Sequence, residues 1–246
     1  MRSMILILLA GFLLNGCASM SRQRDEEAVK KVKSVAVVAF IVKEPASNVM
    51  ELNIGSGSSG AAMGGSSFYQ NSAVTDAMYA DLTKSLKKAT GWKVLSQAEV
   101  TANPNYKTLH DTGMGPIKIM NLPKQGENWY MAQNVMVPAA AEMLGRDGRN
   151  KLLAALDVDA VVVATVDVSV SGGFSLNGFG PRKPKSDFVM EVYRRDQKDP
   201  IWRESIDGEK SKESLGWIGF IDEDRLKTLA RKSSLTAFER INTEIK

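Results

Sequence analysis

Ala160-Val161-Val162-Val163-Ala164-Thr165-Val166-Asp167-Val168-Ser169-Val170 is the stretch on which the fold turns. Its first half is apolar without interruption and rich in β-branched residues, the pattern of a strand covered on both faces. From Val166 onward, valines alternate with Asp167 and Ser169, as in a strand leaving the core with one face wet. Val35 to Val42 repeats the two-face signature near the other end of the chain. Strands of this kind need a layer on each side, so helices are expected between and around them.

The helices are legible from spacing. Ser72 to Ala89 carries Val74, Met78, Leu82 and Leu86 four apart, with Ala77 and Ala89 widening the stripe, and Gly91 stops it. Trp92 to Leu95 is a short strand, and Ser96 begins a further turn through Val100. Arg149 to Leu156 turns Leu152, Leu153 and Leu156 inward. Phe188 to Tyr193 and Ile201 to Ile206 flank Arg195 to Pro200 and form a hairpin with a longer turn. Asp222 precedes a helix with Leu226, Leu229, Ala230, Ser233, Ala237, Phe238, Ile241 and Ile245 on one stripe. Two segments read as loops, Gly55 to Ser67 and Gly172 to Pro184; the first lacks the Gly-Lys-Ser/Thr of a phosphate cradle. Asn103 to Gly145, with Pro104, Gly113, Gly115, Pro116, Pro123, Gly126 and Pro138, is an irregular insertion. The expected fold is α/β, a mixed β-sheet with helices packed on it, in the order β-α-β-α-β-β-β-α.

Composition narrows the chemistry. Of 246 residues 43% are hydrophobic and 24% charged, enough for one domain with its own core. The net charge of +4 is spread, with local clusters at Lys30 to Lys33 and Pro181 to Lys185. No basic stripe interleaves with aromatics, so nucleic acid is not an expected partner. Cys17 is the one cysteine and His110 the one histidine, which excludes an intramolecular disulfide, a multi-cysteine metal site and a two-histidine motif. No metal and no cofactor is expected.

The cysteine stands in a special place. After Met1-Arg2-Ser3, residues Met4 to Leu14 are apolar throughout, too short to span a bilayer at about 20 residues and the length of a signal-peptide core. Leu14-Asn15-Gly16-Cys17 follows. This resembles the lipobox of bacterial lipoproteins, in which Leu14 and Gly16 would be read by the signal peptidase and Cys17 would take the lipid. Asn15 departs from the usual Ala, Ser or Thr. An ordinary signal peptide with an incidental cysteine is the plainer alternative. The resemblance implies palmitate-type acylation with several chains, which makes attachment durable. Ala18 and Ser19, with no Asp after the cysteine, imply the outer membrane, with the body on the periplasmic side. Residues 1–16 are then a signal peptide, 17–31 a polar tether, and 32–246 a single α/β domain with its irregular insertion around 103–145.

Val35 to Phe40 (VAVVAF), Leu82 to Val100 (LTKSLKKATGWKVLSQAEV), Leu156 to Val166 (LDVDAVVVATV) and the hairpin Val189 to Glu209 together resemble the CsgG/PelC/LpoB/TolB N-terminal-domain superfamily of cell-envelope proteins. The chain departs from that pattern in having no Asp before Phe40 and no Thr-Gly in the hairpin turn. The resemblance implies a module that binds a protein or polysaccharide partner, with a homo-oligomeric ring as one arrangement.

An enzyme is not expected. A nucleophilic constellation would have to recruit His110 beside Asp111, and Asp157 with Asp159 is the spacing of a turn. The alternative function is an oligomeric outer-membrane channel of the curli-secretion type. That needs alternating strands of about 9–11 residues, for which Gly55 to Ser67 and Gly172 to Pro184 look too rich in Gly, Ser or Pro, and Met114 to Val137 lacks sustained alternation. The expected function is a membrane-anchored, periplasm-facing binding or assembly module. Its candidate surfaces are the Gly/Ser loop, the Met/aromatic stretch of Trp129, Tyr130, Met131, Met136 and Met143, and the basic run Pro181 to Lys185. The Met/aromatic stretch fits packing on the domain as well as partner contact.

Overall fold

The computed structural model describes residues 23–45, 70–120, 127–175, 178–216 and 222–241. The signal peptide 1–16 with Leu14 and Gly16, the cysteine Cys17 and the Gly/Ser loop 55–67 lie outside the described residues.

The two valine-rich runs are neighbours. Strand β2 (Ser34–Pro45) and strand β6 (Ala160–Ser175) pair in parallel from Val35 opposite Ala160 to Lys43 opposite Asp167. Strand β7 (Gly178–Arg194) returns antiparallel to β6, and β8 (Trp202–Ile206) pairs with β7 from Val192 opposite Trp202 to Phe188 opposite Ile206. Short strands complete the sheet: β1 (Gln23–Arg24), β3 (Gln70–Asn71), β4 (Lys93–Val94) and β5 (Glu127–Met131). The order is β1-β8-β7-β6-β2-β5-β3, with β4 also pairing with β2. The sheet is mixed, as expected.

Helices cover both faces. On one side, α1 (Glu26–Lys30), α2 (Ala73–Thr90) and α7 (Glu223–Arg240) bury Val29, Met78, Leu82, Leu86, Leu226 and Phe238 against Val35, Val37, Phe40, Val162, Ala164 and Val192. On the other, α3 (Gln97–Ala102), α4 (Pro104–Met120), α5 (Pro138–Met143) and α6 (Gly145–Leu156) pack Val100, Tyr106, Ile117, Leu152 and Leu153 on Ala36, Val38, Ile41, Val161 and Val163. The unbroken apolar run of β2 follows from this double covering. A register shift between Val37 and Ala39 marks a bulge in it. Two tyrosine hydroxyls, one from each helical layer, donate to the carbonyls there: Tyr79 to Val37 at 2.7 Å and Tyr106 to Val38 at 2.8 Å. The amide of Met136 in turn donates to the Tyr106 hydroxyl at 3.0 Å.

Three expectations are corrected. The described residues of 103–145 are not irregular: they hold α4, β5 and α5, while residues 121–126, with Pro123 and Gly126, lie outside the described residues. The breakers have other uses there. Asn103 accepts from the amides of Asn105 and Tyr106, so Pro104 sits at the first helical position, where its missing N–H costs nothing. Gly113 lies where a Cβ would meet the Ala140 carbonyl at 3.1 Å, so its smallness lets α4 and α5 touch. Second, Gly172 to Pro184 is not a loop but the far part of the β6–β7 ladder, with Ser171 opposite Lys183 and Phe174 opposite Phe179. Third, the tether is shorter than 17–31. Gln23 and Arg24 pair with Arg203 and Trp202, the Asp25 carboxylate caps α1 by accepting from the Ala28 amide, and Ala28 and Val29 are buried. The polar look of this stretch hides one small apolar stripe, Ala28, Val29 and Val32, that one helical turn suffices to bury.

Candidate recognition surface

At the end of the sheet where β2 stops, an acidic side chain enters the core. Glu44, near the end of a mostly apolar strand, is only 3% exposed and stands opposite Asn128 of β5. Around it lie Tyr130 of β5 and Glu223 and Lys227 from the first turns of α7. The Tyr130 hydroxyl donates to Glu223 Oε1 at 2.5 Å, and Lys227 Nζ donates to the same oxygen at 2.7 Å. The Lys227 ammonium also lies 4.4 Å from the centre of the Tyr130 ring. Burial raises the Glu44 carboxyl to about 7, the nearby Lys227 charge pulling it down and Glu223 pushing it up. Glu223 itself is lowered by its bonds from Lys227 and Tyr130. Two carboxyls side by side therefore differ in charge near neutrality: Glu223 is ionised while Glu44 titrates. The sequence reading missed this cluster. Its one signal was an acid two residues beyond an apolar run, in phase with the core-facing Phe40 and Val42.

The basic run Pro181 to Lys185 is divided between inside and outside. Arg182 and Pro184 are buried, and Lys183 and Lys185 are partly exposed on the other side of the strand. Residues 211–216 run beside this part of β7, with Ser211 donating to the Pro184 carbonyl and Leu215 to that of Arg182, both at 2.8 Å. Lys185 bridges to Asp187 at 2.8 Å and Asp207 at 3.7 Å, so part of its charge is spent locally.

The Met/aromatic stretch is largely core. Tyr130 and Met136 are buried, Trp129 and Met131 pack against the cluster around α4, and Met143 alone stands out, 50% exposed. His110 bonds its own neighbour Asp111 at 2.9 Å. Asp157 takes the left-handed cap of α6 at φ 50°. Asp159 accepts from the amides of Lys33 and Ser34, both at 2.9 Å, tying the starts of β2 and β6 together. These two acids do structural work at a turn and do not face each other across a cleft.

No family model matches this chain, and no curated protein matches it. Among solved structures, it is similar to lipoprotein GNA1162 from Neisseria meningitidis, at 16% identity and a TM-score of 0.39 over 81% of this chain and 94% of that one. It is similar to the hypothetical protein CT253 from Chlamydia trachomatis, at 11% identity and a TM-score of 0.36 over 87% and 95%. A PelC dodecamer from Paraburkholderia phytofirmans follows at 10% identity and a TM-score of 0.28 over 89% and 93%. Likenesses this loose carry no functional argument.

Proposed function

We propose that the protein is a lipoprotein of the bacterial envelope, held to a membrane through Cys17, whose α/β body is a binding or assembly module and not an enzyme. The observation that carries this reading is the chain's one cysteine, at the position a lipobox demands, directly after an apolar run of signal-peptide length. The body supports it by carrying helices on both faces of the sheet, which leaves recognition to the ends and edges. His110, Asp157 and Asp159 are each occupied in ways that need no substrate. The partner class remains an envelope protein or polysaccharide, and the outer membrane, periplasmic side, is the proposed location.

The runner-up, a secretion channel, gains one observation, since Gly172 to Pro184 is paired strand. Against it, α7 packs on β7 where the strand leaves that stretch: the Ser186 hydroxyl donates to the Ala230 carbonyl, and the Ser186 amide donates to the Ser233 hydroxyl, both at 2.9 Å. Arg182 and Pro184 of that stretch are buried, so this face of the strand is not presented to lipid.

Replacing Cys17 with Ser tests the anchor. Metabolic labelling with a palmitate analogue should be lost and the protein should leave the membrane fraction. Retention of both label and membrane association by Cys17→Ser would end the lipoprotein reading.

A further inference from the structure

A buried cation normally has a counter-ion, because an unpaired charge held away from water is costly. Arg149 of α6 lacks one. It is only 8% exposed, and no carboxylate of the described residues lies within ion-pair distance of it. Its Nη2 donates to the Lys198 carbonyl at 3.0 Å, and its guanidinium lies 4.3 Å from the centre of the Tyr193 ring. Its Nε is buried and, among the described residues, has no acceptor. The Tyr193 ring is itself held in place. Its hydroxyl donates to Glu191 Oε2 at 2.5 Å, and Glu191 Oε1 accepts from Arg203 Nε at 2.7 Å. Glu191 is thus committed to other partners.

Arg149 lines a cleft of about 580 Å³ between the start of α6 and the β7–β8 turn. Arg146 and Lys198 line it too, which makes three cations, and its acids are Asp147 and Asp199. Both acids are exposed, and Asp147 bridges to Arg146 at 3.8 Å. The two walls are tied together by a reciprocal pair. Asn150 Nδ2 donates to the Asp196 carboxylate at 2.9 Å, and the Asp196 amide donates to Asn150 Oδ1 at 3.0 Å. No side chain caps the start of α6, so the positive end of the helix adds to the field of the cleft. A cleft of this volume holds a small molecule or one unit of a polymer.

We propose that this cleft is an anion-binding site that takes a phosphate or carboxylate group, with Arg149 as its buried anchor. A guanidinium fork matches the paired oxygens of either group. Arg146 and Lys198 close on the anion from the mouth of the cleft. The ligand supplies the counter-charge that the fold leaves out, so occupancy and stability are linked and the loaded protein melts higher. None of these residues depends on Cys17. The site therefore stands whether or not the chain carries lipid.

The test follows the arginine Nε–H resonances of the full-length protein, made with isotope-labelled arginine and held in a neutral detergent. Sodium phosphate and sodium glucuronate are the probes, with glucose and sodium chloride of equal ionic strength as controls. Arg149→Lys identifies the Arg149 signal by its loss. That signal should move and saturate with at least one of the two anions and stay still in both controls. Saturation by phosphate alone makes this a phosphate site, and saturation by glucuronate alone a carboxylate site. Arg146→Gln and Lys198→Gln, at exposed positions, should each weaken binding about two- to fivefold, as expected of partly exposed ion pairs. Should Arg149→Lys fail to fold, melting temperature carries the test: the anion should raise it in the wild type and raise it less in each mouth variant. No movement and no rise with either anion would overturn the site. Movement matched by sodium chloride would reduce the effect to charge screening and overturn it too, as would binding that both mouth variants leave unchanged.

Discussion

Glu44 shows how much one residue's surroundings can change its chemistry. The same carboxyl on a surface loop would be ionised throughout the neutral range. Here burial lifts it from the ordinary 4.5 to about 7. The consequence for stability has a definite sign. Below the unfolded value both states hold the proton and the fold has its full stability. As pH rises from 4.5 toward 7, the unfolded chain has released a proton that the native state still holds, so stability falls, and the loss is complete above the folded value. The melting temperature of the wild-type protein should therefore drop between pH 5 and pH 8. Glu44→Gln should flatten that drop, since a neutral amide leaves nothing to titrate. An equal fall in both proteins would assign the pH dependence to other groups.

At the scale of elements, the instructive case is α4. Its sequence, with Pro104, Gly113, Gly115 and Pro116 inside seventeen residues, resembles a loop by composition. Composition fails because a breaker's effect depends on its position: proline is harmless in the first turn, and glycine is useful where another helix presses close. Pro116 gives the cleanest check, because it stands inside the helix and is exposed. Pro116→Ala should raise stability by about 1–3 kcal/mol if the residue is helical, because alanine restores an amide donor and removes the ring's clash with the preceding turn. Urea denaturation would measure this; no gain, or a loss, would count against a helix there. The hairpin β6–β7 teaches the same point. Glycine and proline near 172–184 suggested a turn, but a ladder already begun at Ala160 and Arg194 propagates through them, and a bulge between Ser171 and Gly173 takes up the irregularity.

For the whole molecule, the boundary between tether and body matters most, because it sets how far the body can stand from the membrane. Arg24 lies with its guanidinium 5.1 Å from the centre of the Trp202 ring, and the amide of Asp25 donates to the Ile201 carbonyl at 2.7 Å. Residues 23–32 are thus part of the fold. A chain beginning at Lys33 should lose on the order of 3 kcal/mol relative to one beginning at Gln23, chiefly the burial of Val29 and Val32 and the cover they give Trp92 and Trp202. Thermal unfolding of the two truncations would compare them directly, and equal melting temperatures would return the segment to the tether.

What the sequence determined by itself was everything that periodicity carries. The doubly covered strands at Val35 and Ala160, the stripe of α2 from Val74 to Leu86, the β7–β8 hairpin and the Asp222 cap of α7 are local patterns, and each stands where the spacing put it. The apolar run ahead of Cys17 is likewise a matter of order along the chain. Only the tertiary structure decided which of the glycines and prolines break an element, that residues 23–32 belong to the body, and that Glu44 meets Tyr130, Glu223 and Lys227. The physical reason is the same in each instance. These outcomes depend on partners far away in sequence, whose contacts determine whether a weak local preference survives. A residue's own neighbours along the chain carry no record of them.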